Sequence, residues 1–173
     1  VQEDVKKPKI PIERPPETAE TLKTIRQNLP IARHKARILT TLAENHVVIL
    51  ESPTGSGKST QIPQYLHEAG YSARGSILIA QPRRCACIAL SARVAAELGE
   101  RVGETCGYHV RFETCIDRDK TKIVFATAGA ILRDWAAQSK PAGNCSVVVI
   151  DEAHERAVGT DIILGLLRDI VSV

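Results

Sequence analysis

The sequence predicts an α/β fold in which a doubly wound, mainly parallel sheet carries helices on both faces. Four short apolar runs recur along the chain, each followed by a polar turn and a stretch of helical periodicity, at residues 47–50, 77–80, 123–126 and 147–150. These runs lack polar alternation, which is typical of parallel strands covered on both faces. Ligands of such folds bind at the carboxyl ends of the strands, so the residues after each run are the first candidates for function.

The regions outside these runs set the domain boundaries. Residues 1–28 hold four prolines among alternating charges and few large apolar groups, so we predict an extension or linker there. Residues 29–173 form the predicted domain. Its first helix begins near Pro30, whose missing N–H suits a first helical position, and continues through Ile38 and Leu42. Residues 105–113 are a weaker candidate for a further strand.

The composition is that of one globular domain with enough apolar material for a core. The chain has 173 residues, 43% hydrophobic and 25% charged. Its 23 Lys and Arg residues against 20 Asp and Glu give a net charge of +3, which is compatible with a nucleic-acid partner but far from polybasic. No run of eighteen apolar residues occurs, so the sequence predicts no membrane span.

The cysteines and the chain ends indicate the setting of the protein. An odd number of cysteines without a signal-like leader favours a reducing, intracellular compartment, and nuclear and cytoplasmic locations both stay open. No zinc-binding spacing is present, and we predict free, buried thiols at Cys85, Cys87, Cys106, Cys115 and Cys145. The sequence begins with Val1, contains no Met and stops within an apolar helical pattern at residues 161–171, so we expect both ends to have been cut from a longer chain.

A phosphate-binding loop follows the first apolar run. Residues 52–60 read Ser-Pro-Thr-Gly-Ser-Gly-Lys-Ser-Thr and match the pattern G-x-x-x-x-G-K-[ST] at every fixed position except the first. Lys58 would carry its charge to the outer phosphates of an NTP, and the Ser59 hydroxyl would coordinate magnesium. The loop and first helical turn predicted to cradle the nucleotide comprise Thr54, Gly55, Ser56, Gly57, Lys58, Ser59 and Thr60. A Gly/Ser turn that binds nothing is the alternative, and the strand, loop and helix context argues against it.

Two carboxylates follow the last apolar run, at the carboxyl end of what we predict to be a central strand. Asp151 would hold the magnesium through water, and Glu152, on the same metal, would orient and deprotonate the attacking water. An Asp-Glu pair alone is usually a solvated strand end. Together with the phosphate loop it predicts NTP hydrolysis. No arginine finger can be assigned in the chain, so we expect the isolated chain to bind NTP and hydrolyse it weakly.

A third group of residues suggests contacts with a nucleic-acid backbone. Arg83 and Arg84 follow Pro82 at the predicted start of a helix that runs to about residue 98, where cations oppose the helix dipole. A bound phosphate would relieve this, and pairing with surface carboxylates is the alternative. Thr127 directly follows the third run, where it caps a helix or offers its hydroxyl to a phosphate. Such contacts predict little sequence specificity.

Several strings resemble the motifs of DEAH-box RNA helicases. Residues 151–156 read Asp-Glu-Ala-His-Glu-Arg, and residues 81–84 read Gln-Pro-Arg-Arg. Residues 107–113, Gly-Tyr-His-Val-Arg-Phe-Glu, and residues 28–31, Asn-Leu-Pro-Ile, are similar to two further motifs. The resemblance covers the whole predicted domain.

This resemblance implies the first RecA-like lobe of a superfamily 2 helicase, which uses ATP and magnesium to move along single-stranded RNA. It also implies a second lobe with C-terminal domains, an S-A-T motif beyond residue 173, and a place for an activating protein partner. His154 would couple the nucleotide site to the rest of the core. Arg93 would stack on the nucleotide base, and Arg111 would touch RNA.

The sequence departs from the family pattern at two places. Ser52 and Pro53 stand where the family usually shows Gly-Glu, which makes the loop similar to that of some viral and bacterial relatives and leaves a viral-type superfamily 2 helicase open. Ala128 stands where the family usually shows Asp. Two other functions stay open: a P-loop small-molecule kinase, which would need a lid and an acceptor pocket, and a nucleotide-dependent RNA clamp or scaffold with little hydrolysis. The intact Lys58, Asp151 and Glu152 argue against the clamp.

Overall fold

A five-stranded sheet forms the centre of the protein in a computed structural model that describes residues 19–138, 142 and 144–171. The strands are β1 (Ser76–Gln81), β2 (Cys106–Val110), β3 (Glu113–Cys115), β4 (Ile123–Thr127) and β5 (Cys145–Ile150). Their order across the sheet is β3-β2-β4-β1-β5, and every neighbouring pair is parallel except the β2–β3 hairpin. This confirms the predicted α/β class and the additional strand within residues 105–113.

The described part of the chain forms six α-helices around the sheet: α1 (Ala19–Asn28), α2 (Lys35–Glu44), α3 (Lys58–Glu68), α4 (Arg84–Leu98), α5 (Ala128–Gln138) and α6 (Val158–Val171). Short 3₁₀ turns occupy Pro30–His34, Tyr71–Ala73 and Ala153–Glu155. Pro30 stands at the start of the first of these turns, which leads into α2. The left-handed Gly99 ends α4, where its N–H bonds back to Ala96 O.

Alternate residues of β1 belong to two separate hydrophobic cores, one on each face of the sheet. Ile77 and Ile79 are fully buried beneath α3 and α4, where they pack with a cluster that includes Phe125. Leu78 and Ala80 point to the other face and pack with residues of α5 and α6, among them Trp135 and Ile163. This alternation places helices on both faces of the sheet, and Trp135 is part of the second core.

The predicted strand at residues 47–50 is not formed. The segment pairs with no strand among the described residues, and its Val47 and Ile49 side chains are 66% and 93% exposed. A strand needs a ladder partner as well as an apolar pattern, and the pattern alone does not supply one. The β5 strand, predicted to be central, is correspondingly the edge strand of the described sheet.

The predicted linker also differs from the structure in its second half. Residues 19–28 form helix α1, which packs against α4 and buries Leu22 to 4% exposure. The prolines and alternating charges of residues 1–28 predicted a segment unable to order itself alone, but contact with α4 supplies apolar cover for residues 19–28. Residues 1–18 lie outside the described residues.

All five cysteines are free thiols, as predicted. Burial raises the pKa of the Cys87 and Cys106 thiols to about 12, so both behave as small apolar side chains. Cys85 is exposed, contrary to the prediction of burial, because it lies in the first turn of α4 on the solvent side. Among the described residues, none of the helices combines the length and apolar character that crossing a bilayer requires.

Candidate nucleotide site and nucleic-acid rim

The phosphate loop is shaped by two glycines in left-handed conformations. Gly55 has φ 78° and Gly57 has φ 96°, values that side chains with a Cβ rarely adopt. A Cβ on Gly57 would also come within 2.8 Å of Leu29 Cδ1. Helix α3 begins at the next residue, so its first N–H groups open into the loop.

Two backbone carbonyl groups of the phosphate loop hold the Lys58 side chain in place. Its Nζ donates to Ser52 O at 2.6 Å and to Pro53 O at 3.1 Å. An ammonium group has three protons, so one donor remains for a phosphate oxygen. The departure at Ser52 is accommodated, because its hydroxyl lies 2.8 Å from the hydroxyl of the buried Ser56 and joins the two ends of the loop.

The acidic pair lies at the end of β5 and is fixed by its neighbours. The Asp151 N–H donates to Ala80 O at 3.0 Å, which extends the ladder with β1 by one bond. The Asp151 carboxylate accepts Gln81 Nε2 at 2.5 Å on Oδ2 and the Glu152 N–H at 3.0 Å on Oδ1. Both carboxylate oxygens are therefore oriented by hydrogen bonds.

Gln81 is a site residue that the sequence analysis did not single out. It is the last residue of β1 and is 2% exposed. Its position in the sequence could have indicated a role in the site, because a polar residue at the end of a buried strand needs a hydrogen-bond partner. In the structure β5 is the neighbouring strand that supplies this partner. Its bond to Asp151 makes it the residue that orients this carboxylate.

The turn that carries His154 is bounded by two strained residues. Glu152 and Arg156 have φ 52° and 53°, in the left-handed region that residues other than glycine seldom occupy. Arg156 bonds Asp161 of α6 at 3.0 Å, and this hydrogen bond lowers the pKa of the Asp161 carboxyl. His154 Nε2 lies 3.3 Å from Glu152 Oε2. The turn therefore brings the imidazole against the carboxylate and is anchored to α6.

A cavity of about 310 Å³ lies over the phosphate loop. It is lined by Ile25, Leu29, Thr54, Gly55, Ser56, Gly57, Lys58, Ser59, Thr60, Arg93, Glu97 and Glu152. The structure thus brings together the predicted loop residues, Arg93 and Glu152. Asp151 and His154 flank Glu152 outside this lining. Sequence reasoning missed Ile25, Leu29 and Glu97.

The donor set fits a magnesium ion that is shared with a nucleotide. Ser59, Asp151 and Glu152 offer oxygen atoms, the ligand type that this hard cation prefers. No three metal-binding side chains of His, Cys, Asp or Glu converge within the described residues. Phosphate and water oxygens would complete the coordination of such an ion.

The predicted nucleic-acid residues lie at the carboxyl end of the sheet and beside it. Thr127 ends β4 opposite Gln81 of β1, and Arg83 and Arg84 follow β1 directly. Arg83 pairs with Glu155 at 3.0 Å, and Arg84 pairs with Glu113 of the β2–β3 hairpin. The predicted alternative of carboxylate pairing is therefore what the described residues form.

Arg111 lies at the tip of that hairpin. Its guanidinium sits 4.7 Å from the ring centre of Phe112, which is 86% exposed with φ 66°. We refer to Arg83, Arg84, Arg111 and Thr127 as the rim. Its three arginines are exposed.

A comparison with protein families agrees with this geometry. The model of the family described as DEAD/DEAH box helicase matches residues 32–163. The match spans the phosphate loop, the rim and the acidic turn.

Proposed function

Since the chain belongs to the DEAD/DEAH box helicase family, we propose that it is the ATP-binding lobe of a DEAH-type RNA helicase. The fold is the RecA-like α/β lobe of a superfamily 2 helicase, and the family function is ATP-dependent. The proposal adds RNA as the track, magnesium as the metal and a second lobe as the partner in hydrolysis.

One observation carries the proposal: the phosphate loop, Arg93 and Glu152 line a single cavity although they are far apart in the sequence. A loop that only turned the chain would not need a carboxylate from another strand end beside it. The convergence places three kinds of group around one ligand: hydrogen-bond donors for the phosphates, a cation for the nucleotide base, and a carboxylate that can accept a proton.

The residues at the phosphate end have distinct roles in this proposal. The free proton of Lys58 holds an outer phosphate, while its other two fix the loop. Glu152 orients a water in line with the outer phosphate and accepts its proton. Magnesium, held by the Ser59 hydroxyl and by Asp151 through water, would neutralise charge on the phosphates. Gln81 keeps the Asp151 carboxylate turned towards that position.

The DEAH subtype is supported by the placement of His154. Its contact with Glu152 makes the orientation of the general base sensitive to whatever touches the exposed imidazole, which is 76% exposed. A second lobe closing on this surface would therefore affect hydrolysis. The same lobe would supply an arginine that stabilises the transition-state charge on the phosphates. The described residues place no such arginine at the phosphate end of the cavity, so the isolated chain is expected to hydrolyse ATP weakly.

The rim supports RNA as the track. Each of its two paired arginines faces a carboxylate in an exposed ion pair, so an RNA phosphate can replace the carboxylate at little cost. Contacts of this kind follow the backbone, and the affinity should fall steeply with salt.

The first test is nucleotide binding by the full-length protein. Lys58→Ala removes the phosphate donor and is expected to weaken binding of magnesium ADP by about a hundredfold or more. Lys120→Ala is the matched control, since this lysine is 71% exposed in the loop before β4, at the opposite end of the sheet. Equal binding by both variants would refute the nucleotide site.

The second test is ATP turnover with and without single-stranded RNA. RNA is expected to stimulate turnover, and Glu152→Gln is expected to reduce it by at least about a hundredfold while nucleotide binding persists. Absence of stimulation would refute the helicase function, and unchanged turnover in the variant would refute the role of Glu152. Retained RNA binding without any turnover would identify the clamp.

A further inference from the structure

A buried carboxylate lines the cavity next to Arg93, and we call the part of the cavity lined by Arg93 and Glu97 the base side. The Glu97 side chain, one helical turn after Arg93 on α4, is 2% exposed. Its Oε1 accepts Arg93 Nε at 2.7 Å, and its Oε2 accepts the Nε2 atoms of Gln61 and Gln64 at 2.8 and 2.7 Å. A buried charge persists only when it is paired and hydrogen-bonded in this way. Its low exposure means that it acts through its neighbours.

The orientation of the Gln61 amide extends this network to helix α1. Gln61 Oε1 accepts Arg26 Nε at 2.7 Å, so the Nε2 end must face Glu97, with a further contact to Thr60 Oγ1 at 3.0 Å. A cation on one side and an anion on the other allow only this orientation. A continuous series of hydrogen bonds therefore runs from α1 through α3 to Arg93 on α4.

Helix α1 and the segment after it also contact the cavity directly. Ile25 and Leu29 line it, and Leu29 packs against Gly57 of the phosphate loop. The Ile31 N–H donates to Ser56 O at 3.2 Å. The segment that carries Arg26 thus forms an apolar part of the wall and supports the loop from behind.

We propose that Glu97 is a positioning residue for the nucleotide base, with Arg26 as the distant anchor of its network. Glu97 holds the Nε edge of the Arg93 guanidinium and so sets the orientation in which this cavity-lining group meets a base; the Arg93 side chain is 31% exposed. The inference rests on the proposed nucleotide site. It assigns to α1 and to Glu97 a part in holding the base side of the ligand, whereas the phosphates are held by the loop.

The test compares two ligands in the full-length protein: magnesium ADP, which has a base, and magnesium tripolyphosphate, which has none. Glu97→Gln keeps the size of the side chain but places an amide donor against the Gln61 and Gln64 donors or against Arg93. We expect it to weaken ADP roughly tenfold and tripolyphosphate less than about twofold. Glu44→Gln, an exposed glutamate at the end of α2, is the matched control.

A double-mutant cycle separates positioning from general stability. In an Arg93→Ala background, Glu97→Gln should cause no further loss of ADP affinity, because the residue it positions is gone. Equal losses for the two ligands, or losses that add in the double variant, would overturn the proposal.

A second variant keeps the test decisive if Glu97→Gln lowers the thermal midpoint too far for binding studies. Arg26→Gln cuts the network at its half-exposed end and is expected to weaken ADP roughly threefold, again only when Arg93 is present. No change in ADP affinity would refute the inference alone. If Lys58→Ala also left both ligands unaffected, the proposed function itself would fail.

Discussion

The base side of the cavity and the rim both depend on charged side chains, but they use them in opposite ways. Around Glu97 one buried carboxylate accepts bonds from three side chains, so each member holds the others. On the rim, Arg83 and Arg84 each face one exposed carboxylate. The first arrangement is rigid and hard to change one residue at a time. The second can exchange partners, which suits a surface that must grip and release a strand.

The largest expected difference between the two regions is in stability. Glu97→Ala would leave three donors without their acceptor in a buried site and is expected to lower the free energy of unfolding by about 3 kcal/mol. Glu155→Ala, which removes the partner of Arg83 on the rim, is expected to cost less than about 1 kcal/mol. Urea unfolding of both variants measures the contrast. Similar losses would show that burial does not separate the two regions.

The next effect concerns RNA affinity and its salt dependence. If RNA phosphates replace the carboxylates on the rim, Arg83→Ala and Arg84→Ala should each weaken binding of mixed-sequence single-stranded RNA about fivefold or more at low salt. Each should also reduce the slope of log affinity against log salt by about 0.7. Stability should change by less than about 0.5 kcal/mol.

Arg118→Ala is the matched control for the rim, because this exposed arginine lies in the loop before β4, at the opposite end of the sheet. It should leave both affinity and slope unchanged. An unchanged slope in the two rim variants would remove these arginines from the strand-binding surface.

The comparison also explains which parts could be predicted from sequence. The phosphate loop and the acidic turn are local patterns, in which Gly57, Lys58 and Glu152 have their roles fixed by near neighbours, and the structure places all three around one cavity. The network around Glu97 has no local pattern. It forms only because α1, α3 and α4 pack together. In the sequence, a glutamate within a helical segment cannot be distinguished from one that faces solvent.

The failed predictions have a related cause. The apolar run at residues 47–50 indicated a strand, but pairing depends on an edge elsewhere in the sheet, which periodicity does not report. Helix α1 was hidden because its order comes from docking on α4, with Leu22 buried in the contact. In both cases the deciding interaction is distant in sequence.

The smallest expected effect concerns Arg26, which takes part in both the buried network around Glu97 and an exposed ion pair of the kind seen on the rim. Its Nε bonds the buried Gln61, while its other end pairs with Glu68, which also accepts Lys35 and is 35% exposed. Burial raises the pKa of Glu68, but the hydrogen bonds from Lys35 and Arg26 outweigh it and hold the pKa below its ordinary value. A lowered carboxyl pKa gives stability that is present above the unfolded value and is lost as the pH falls through the folded value. We therefore expect Glu68→Gln to cost about 0.5 kcal/mol near pH 6 and progressively less as the pH is lowered, as measured by urea unfolding along a pH series. If the cost stayed constant along the series, packing of the Glu68 side chain would hold α1 in place, and the outer half of the Arg26 contacts would belong with the buried network.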